Sequence, residues 1–502
     1  MAFKEYKGLD LVATGNEVLD RWKKNHAFEK SLELREGAPE FIFFEGPPSA
    51  NGMPGIHHVM ARSIKDAICR YKTQSGYKVN RRAGWDTHGL PVELGVEKML
   101  GITKEDIGTK ISVEEYNDAC RKEVMKYTAE WVNMTERVGY WVDMDDPYIT
   151  YDNRYIETLW FLLKKIYDKG LLYKGKSIQP YSPAAGTGLS THELNQPGCY
   201  RDVKDTTATA QFKVVRDEKS EFLFAEGVQP YFLAWTTTPW TLPSNTALCV
   251  GPNIDYVRVL STNPYTGVPG LYIVAQALVS AHFNPKKQEF TVLEGTLKGS
   301  ELTGIRYEQL IPWFNPGEGA FKVIPGDYVT TEDGTGIVHI APTFGADDAK
   351  VARLAGVPGL QVVDRNGDLQ AQVDLRGRFF RIEDLDPEYA AANMSPAYAE
   401  WEGRYVKNAY DASLPADAPT LDVDICVMLK QENKAFRIEK HTHNYPHCWR
   451  TDKPVLYYPL NSWFIKTTAV RERMMELNEQ IMWKPESTGT GRFGKWLENI
   501  QD

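Results

Sequence analysis

Two adjacent histidines follow a run of proline, glycine and small residues in "GPPSANGMPGIHHVMAR", residues 46–62. Imidazoles donate to phosphate oxygens, and a helix N-terminus adds free backbone N–H groups and positive dipole. His57 and His58 at such a helix start, with Gly55 just ahead, fit nucleotide binding; a plain strand–helix turn with a histidine N-cap fits the same residues. "RRAGWDTHGLP" places Asp86 and His88 in a second loop, where the carboxylate could hold a ligand ammonium or close an Asx-type turn. Further on, "AWTTTPWTLPSNTA" (234–247) gathers Thr236, Thr237, Thr238, Thr241 and Asn245 around two prolines. "GTGIVHIAPTFGADDAK" (334–350) adds His339, Asp347 and Asp348 on a glycine-rich path. Separately these are turn chemistry. Together they predict a pocket of hydroxyls, one imidazole and carboxylates, suited to binding a diol and an amine while positioning water. No serine sits in a nucleophile elbow, which argues against an acyl-enzyme.

One motif is rejected. "GLLYKGKS" (170–177) satisfies G-x-x-x-x-G-K-[ST] letter for letter, but a phosphate loop follows a strand and opens a helix. Here a helical segment precedes it, Gly170 reads as its C-terminal cap, and "IQPYSP" cannot start another helix.

The elements that must carry these residues are legible in outline. "EFIFF" (40–44) reads as a buried strand leaving through Glu45-Gly46-Pro47-Pro48. Ile64, Ala67, Ile68 and Tyr71 then recur at helical spacing, Gly76 closes the helix, and "YKVNRR" (77–82) reads as a second strand. Strand–loop–helix–strand predicts parallel neighbours joined by a right-handed crossover, with the loops 45–57 and 83–91 outside the carboxyl ends where ligands bind. Residues 113–140 and 151–169 read as helices, the second with Ile156, Leu159, Leu163 and Ile166 on one face. From about 180 to 410 short alternating runs separated by Pro, Gly and Asn predict a mixed β domain. "YDASLPADAPTLDVD" (410–424) reads as a linker, and helical character returns only at "TTAVRERMMELNEQI" (467–481). A β-rich block is thus inserted into an α/β domain.

At 502 residues the chain is too long for one core, and two to four domains are expected. Its 42% hydrophobic and 25% charged residues are those of a globular protein. The net charge of −9 gives no global pull toward nucleic acid, so such a partner would need a local basic face or a segment outside this chain. No apolar run is long enough for a membrane span, and "MAFKEYKGLDLV" lacks the apolar core of a signal peptide. Six scattered cysteines without a C-x-x-C pair fit reduced thiols in a cytoplasm.

"FFEGPPSANGMPGIHHVMARSIKDAICRYKTQSGYKVNRRAGWDTHGLPVE" resembles the first half of the class I catalytic domain of the isoleucyl-tRNA synthetase family. "WVNMTERVGYWVDMDDPYITYDN", "AWTTTPWTLPSN", "GTGIVHIAPTFGADD" and "HNYPHCWRTDKPV" continue the resemblance in the family's order. It implies a Rossmann-type α/β catalytic domain with an inserted β-rich (α+β) editing domain. The expected divisions are 1–184, the editing insertion 185–410, and a stem returning to the catalytic domain at 411–502. It implies isoleucine activation by ATP with Mg2+, transfer to tRNA(Ile), and hydrolysis of mischarged valine by a cytoplasmic monomer with no membrane partner. Editing is needed because one methylene is worth only about 1–3 kcal/mol of discrimination, a limit for which these enzymes are themselves the standard example.

Carried over by the resemblance, Pro47 and Asp86 bind isoleucine, with Asp86 on its ammonium, and His58 meets ATP phosphate. Thr236, Thr237, Thr238, Thr241 and Asn245 form the editing stretch; Asp348 holds the amino group of the misacylated residue, and His339 lines that pocket. The family's His-x-Gly-His signature reads Gly55-Ile56-His57-His58 here, with first and third residues exchanged. His57 is expected to recover the phosphate contact, or the pocket is reshaped; the expectation is normal ATP use with altered binding of inhibitors that fill it. The slots where bacterial relatives often hold zinc are Ser182, Ala185, Cys448 and Thr451, and one thiolate cannot make a tetrahedral structural site, so no zinc is expected. That pattern is closer to the eukaryote-like branch. The Lys-Met-Ser-Lys-Ser loop and the anticodon-binding helices are not found in the chain, which reads as an N-terminal portion. A valyl relative, a free-standing editing hydrolase and a silent tRNA-binding paralogue are the alternatives.

Overall fold

The computed structural model describes residues 8–224, 227–415 and 418–502. The chain divides into two compact units, residues 1–173 with 465–502, and residues 174–464.

The first unit is mainly helical: α1 (Leu11–Asn25), α2 (Ala27–Glu33), α3 (Ile56–Gln74), β1 (Arg82–Trp85), α4 (Leu90–Leu100), α5 (Val113–Val124), α6 (Thr128–Arg137), β2 (Asp143–Ile149) and α7 (Asn153–Asp168). β1 and β2 pair in parallel. The run 40–44 differs from expectation. It carries one parallel bridge, Glu40 to Lys78, and Ile42 and Phe44 are 70% and 89% exposed. Aromatic residues favour a pleated surface without guaranteeing that anything covers it. The second strand likewise forms at 82–85 rather than 77–82. The helix expected over 113–140 is two, because the Tyr127 N–H leaves the helical ladder to donate to the Ala50 carbonyl at 3.0 Å. α7 forms as expected, yet none of its side chains is fully buried.

Trp131 on α6 ties down the loop that precedes α3. Its indole N–H donates to Gly52 O at 2.8 Å, and it packs with Ala50 and Trp85. Behind it, buried Arg81 donates to Trp141 O and Thr73 Oγ1, both at 3.0 Å, and pairs with Asp66. A buried cation needs such a set, since an unpaired one is costly.

The larger unit is built on a ten-stranded mixed sheet among the described residues. Its middle runs Asp255–Thr262, Pro269–Ala275, Pro230–Thr236, Ile337–Ile340, Ala247–Val250 and Lys322–Pro325. The long strand Tyr200–Lys213 pairs antiparallel with both Pro230–Thr236 and Ala435–Pro446. Residues 170–177 start no helix: Gly170 (φ +70°) ends α7, and strand β3 (Leu172–Ser182) follows. Part of the expected linker, residues 416 and 417, lies outside the described residues. Its end is not extended: Leu421–Gln431 is a helix that buries Leu421, Ile425, Cys426 and Leu429, so helical structure returns well before residue 467.

The core beside the sheet is apolar and aromatic, with Phe212, Phe232, Tyr256, Tyr272, Phe283 and Trp313 fully or almost fully enclosed. Tyr256 is also polar glue. Its hydroxyl accepts from Gly251 N at 3.0 Å and donates to Gly336 O at 2.6 Å. Gly336 itself has φ +73°, and an added Cβ would stand 2.4 Å from that of Ala275, so no other residue fits that bend. Tyr256→Phe should leave a buried N–H and a buried C=O without their partner and destabilise the chain by about 1–3 kcal/mol. Urea unfolding followed by tryptophan fluorescence measures this.

Candidate functional site

The strand Pro230–Thr236 delivers the threonine stretch to one edge of a cavity of about 380 Å³, a size suited to a small organic ligand. Two prolines shape the following 3₁₀ turn, Pro239–Ser244. Thr236 Oγ1 accepts from Thr238 N at 3.1 Å, and Thr241 Oγ1 donates to Thr238 O at 2.9 Å, so the hydroxyls are fixed rather than free rotors. The turn is anchored from outside by Asp422, whose carboxylate accepts from Trp240 N at 2.9 Å. Burial raises Asp422 to about 6, against the pull of Lys407, which stands 3.7 Å from it and 3.0 Å from Asp205.

Opposite the threonines, the strand Ile337–Ile340 and the helix Ala346–Leu354 bring in His339 and Asp348. Asp348 Oδ2 accepts from Ala341 N at 2.8 Å. Gly345 permits this turn, because a Cβ there would stand 2.6 Å from the Asp348 carboxyl carbon. Desolvation raises Asp348 to about 6, partly opposed by the Ala341 N–H and helped by Asp347. His339 is buried and lowered to about 3 by desolvation, so it is neutral at pH 7. Its Nε2 lies 3.0 Å from Thr241 Oγ1 and its Nδ1 2.9 Å from Asn245 Nδ2.

The structure therefore brings Thr236, Thr237, Thr238, Thr241, His339 and Asp348 to one cavity. Asn245 stands behind the wall, buried, and reaches it through His339. Asp347 is exposed and does not line the cavity. Sequence reasoning missed Trp235, Tyr328 and Phe344 in the wall and Tyr307 behind it. Trp235 and Phe344 lie inside the quoted motifs; Tyr328 and Tyr307 carry no local signal. The arrangement can hold an ammonium on the carboxylate and present hydroxyls and backbone to a polar ligand, with neutral imidazole beside them.

In the first unit Gly55 is the N-cap of α3, and its N–H donates to His58 Nδ1 at 2.8 Å. That bond leaves His58 Nε2–H free to donate. The His58 ring packs on Trp131 (centroids 4.5 Å), and burial, His57 and Arg62 lower its pKa, so it offers a neutral donor. The exposed His57 ring stands where a side chain at position 55 would begin, 2.8 Å from an added Cβ. Asp86 N donates to Pro48 O at 2.9 Å, which joins the loop of Pro47 to that of Asp86. The Asp86 carboxylate is exposed and accepts from His88 N at 3.3 Å. The zinc slots hold buried Ser182, Ala185 and Cys448, and no group of three or more His, Cys, Asp or Glu among the described residues could hold a metal.

The sequence model of the family described as tRNA synthetases class I (I, L, M and V) matches residues 17–502, and the chain belongs to that family. It is similar over its whole length to the isoleucine–tRNA ligases of Bacteroides fragilis (65% identity) and Porphyromonas gingivalis (64%), and covers 45% of each. That of Cytophaga hutchinsonii is 56% identical, again over 100% of this chain and 45% of the relative. The chain thus spans less than half the length of these relatives.

Two predictions follow from the geometry. Gly55→Ala should be tolerated, because the exposed His57 ring can turn away from the added Cβ, and should leave the far-UV circular dichroism of the chain unchanged. The second concerns stability. A carboxyl raised from about 4 unfolded to about 6 folded favours the folded state only while protonated. That contribution is present below pH 4 and lost as pH rises through 6, so at pH 7.5 ionised Asp348 costs the fold on the order of 2 kcal/mol. Asp348→Asn should therefore raise the melting temperature at pH 7.5 and leave it unchanged at pH 4.

Proposed function

We propose that the chain is part of an isoleucine–tRNA ligase, with MgATP, isoleucine and tRNA(Ile) as substrates, acting in the cytoplasm as a monomer. On this reading residues 1–184 are the first part of the catalytic domain, 185–410 an editing insertion, and 411–502 a stem returning to the catalytic domain. The observation that carries the editing assignment is that one cavity is lined both by an ionisable, desolvated carboxylate, Asp348, and by fixed threonine hydroxyls. The 65% identity to a ligase named for isoleucine supports the amino-acid specificity.

In activation, Asp86 holds the isoleucine ammonium beside Pro47, while His58 Nε2–H and His57 donate to ATP phosphate oxygens. In editing, ionised Asp348 holds the ammonium of a valyl ester, and the threonine wall bounds the side chain and the ribose. Water adds to the ester carbonyl, the bond from that carbon to the ribose oxygen breaks, and the departing oxygen takes the water's proton. Catalysis rests on orientation and preorganised dipoles rather than on a covalent intermediate.

Deacylation of Val-tRNA(Ile) and Ile-tRNA(Ile) by this chain tests the reading. Selective hydrolysis of the valyl ester is expected, with Asp348→Ala losing it or turning it onto the isoleucyl ester. Because Asp348 must be ionised, kcat/KM for the valyl ester should fall as pH drops through about 6. Hydrolysis of neither ester would contradict the editing assignment for this chain.

A further inference from the structure

A line of buried hydrogen bonds runs from behind the cavity to its wall. Tyr307, fully buried with Phe212 edge-on at 5.4 Å, donates its hydroxyl to Asn245 Oδ1 at 2.7 Å. Asn245 Nδ2 donates to Ala247 O at 2.8 Å and faces His339 Nδ1 at 2.9 Å. His339 Nε2 meets Thr241 Oγ1 at 3.0 Å, and Thr241 passes its own proton to Thr238 O at 2.9 Å.

Backbone carbonyls can only accept, and Ala247 O and Thr238 O each take one proton from this line. Thr241 has one proton and has committed it to Thr238 O, so toward His339 its oxygen can only accept. Nε2 must then carry the imidazole proton. Nδ1 is left with a lone pair, which takes the second N–H of Asn245. The Asn245 amide cannot turn over, because its oxygen would then face Ala247 O at 2.8 Å. Tyr307 supplies the one donor that Asn245 Oδ1 needs from the protein interior.

We propose that Tyr307 and Asn245 are positioning residues that lock His339 as the neutral Nε2–H tautomer. His339 is then a fixed donor that holds Thr241 Oγ1 in place in the cavity wall, and it does not take the proton of the attacking water. That proton goes to the departing ribose oxygen, directly or through a second water, which keeps the step balanced without a protein base. The tautomer follows from the hydrogen bonds alone; its consequence for hydrolysis rests on the editing reading.

The test is long-range ¹H–¹⁵N spectroscopy of the chain labelled at histidine, with His339 assigned by the signal lost in His339→Gln. At pH 7 the expected pattern is a protonated Nε2 and a bare Nδ1. In Tyr307→Phe, which keeps the ring and its packing, the two nitrogen shifts should move toward each other. Hydrolysis of Val-tRNA(Ile) should then fall about tenfold in kcat at unchanged KM, the loss expected for one unpaired buried acceptor. Asn245→Asp should draw the proton to Nδ1 and reverse the pattern. A wild-type Nδ1–H tautomer or an imidazolium would overturn the proposal, as would a Tyr307→Phe chain with unchanged shifts and kcat. Should the shifts show the lock while neither wild type nor variant hydrolyses the valyl ester, the editing reading fails and the lock stands.

Discussion

Taking polar groups out of water is costly unless each finds a partner, and the larger unit does this with a carboxylate and an imidazole at one place. Asp348 keeps a single backbone N–H, at Ala341, so its charge is left expensive and available to a ligand cation. His339, by contrast, is satisfied on both ring nitrogens and loses its charge altogether. The same desolvation thus makes one group a reserved anion and the other a fixed neutral donor. Separation of roles by environment, rather than by residue type, is how such sites divide labour.

The sheet and its surroundings serve that arrangement. Strand Pro230–Thr236 sits between three partners, so the threonines at its end inherit the rigidity of the ladder. Asp422, from a segment far along the chain and itself paired with Lys407, grips the turn that follows. Tyr256 stitches Gly251 to the Gly336 bend on the facing side. In the first unit a smaller version of the same logic holds. Trp131 fixes the loop ahead of α3, His58 spends one nitrogen on the Gly55 N–H, and the other remains to donate. The exposed His57 ring lies beside Gly55, close to where a side chain at position 55 would begin.

The contiguous parts of the site were legible in the sequence. Thr236 to Asn245 form one run, and His339 and Asp348 share a second, so residue type and spacing sufficed to group them. Tyr307 and Tyr328 were not legible, because they reach the site through sheet pairing and turns that no local pattern encodes. Composition identified the β-rich block and the α/β class. It misjudged residues 40–44, since aromatic content reports affinity for a covered surface and Phe44 has none. The break between α5 and α6 was hidden for a similar reason: one N–H of Tyr127 prefers a carbonyl 77 residues away in sequence, at Ala50, to its own helix.

On the proposed function, Asp348 is held in its desolvated state to receive an ammonium. The most direct test compares two non-hydrolysable ligands, adenosine bearing valine through an amide at its ribose, and the same molecule lacking the α-amino group. Isothermal titration at pH 7.5 should show at least tenfold tighter binding of the amine-bearing ligand, with that advantage gone in Asp348→Asn. Equal affinity for the two ligands in the wild-type chain would contradict the account.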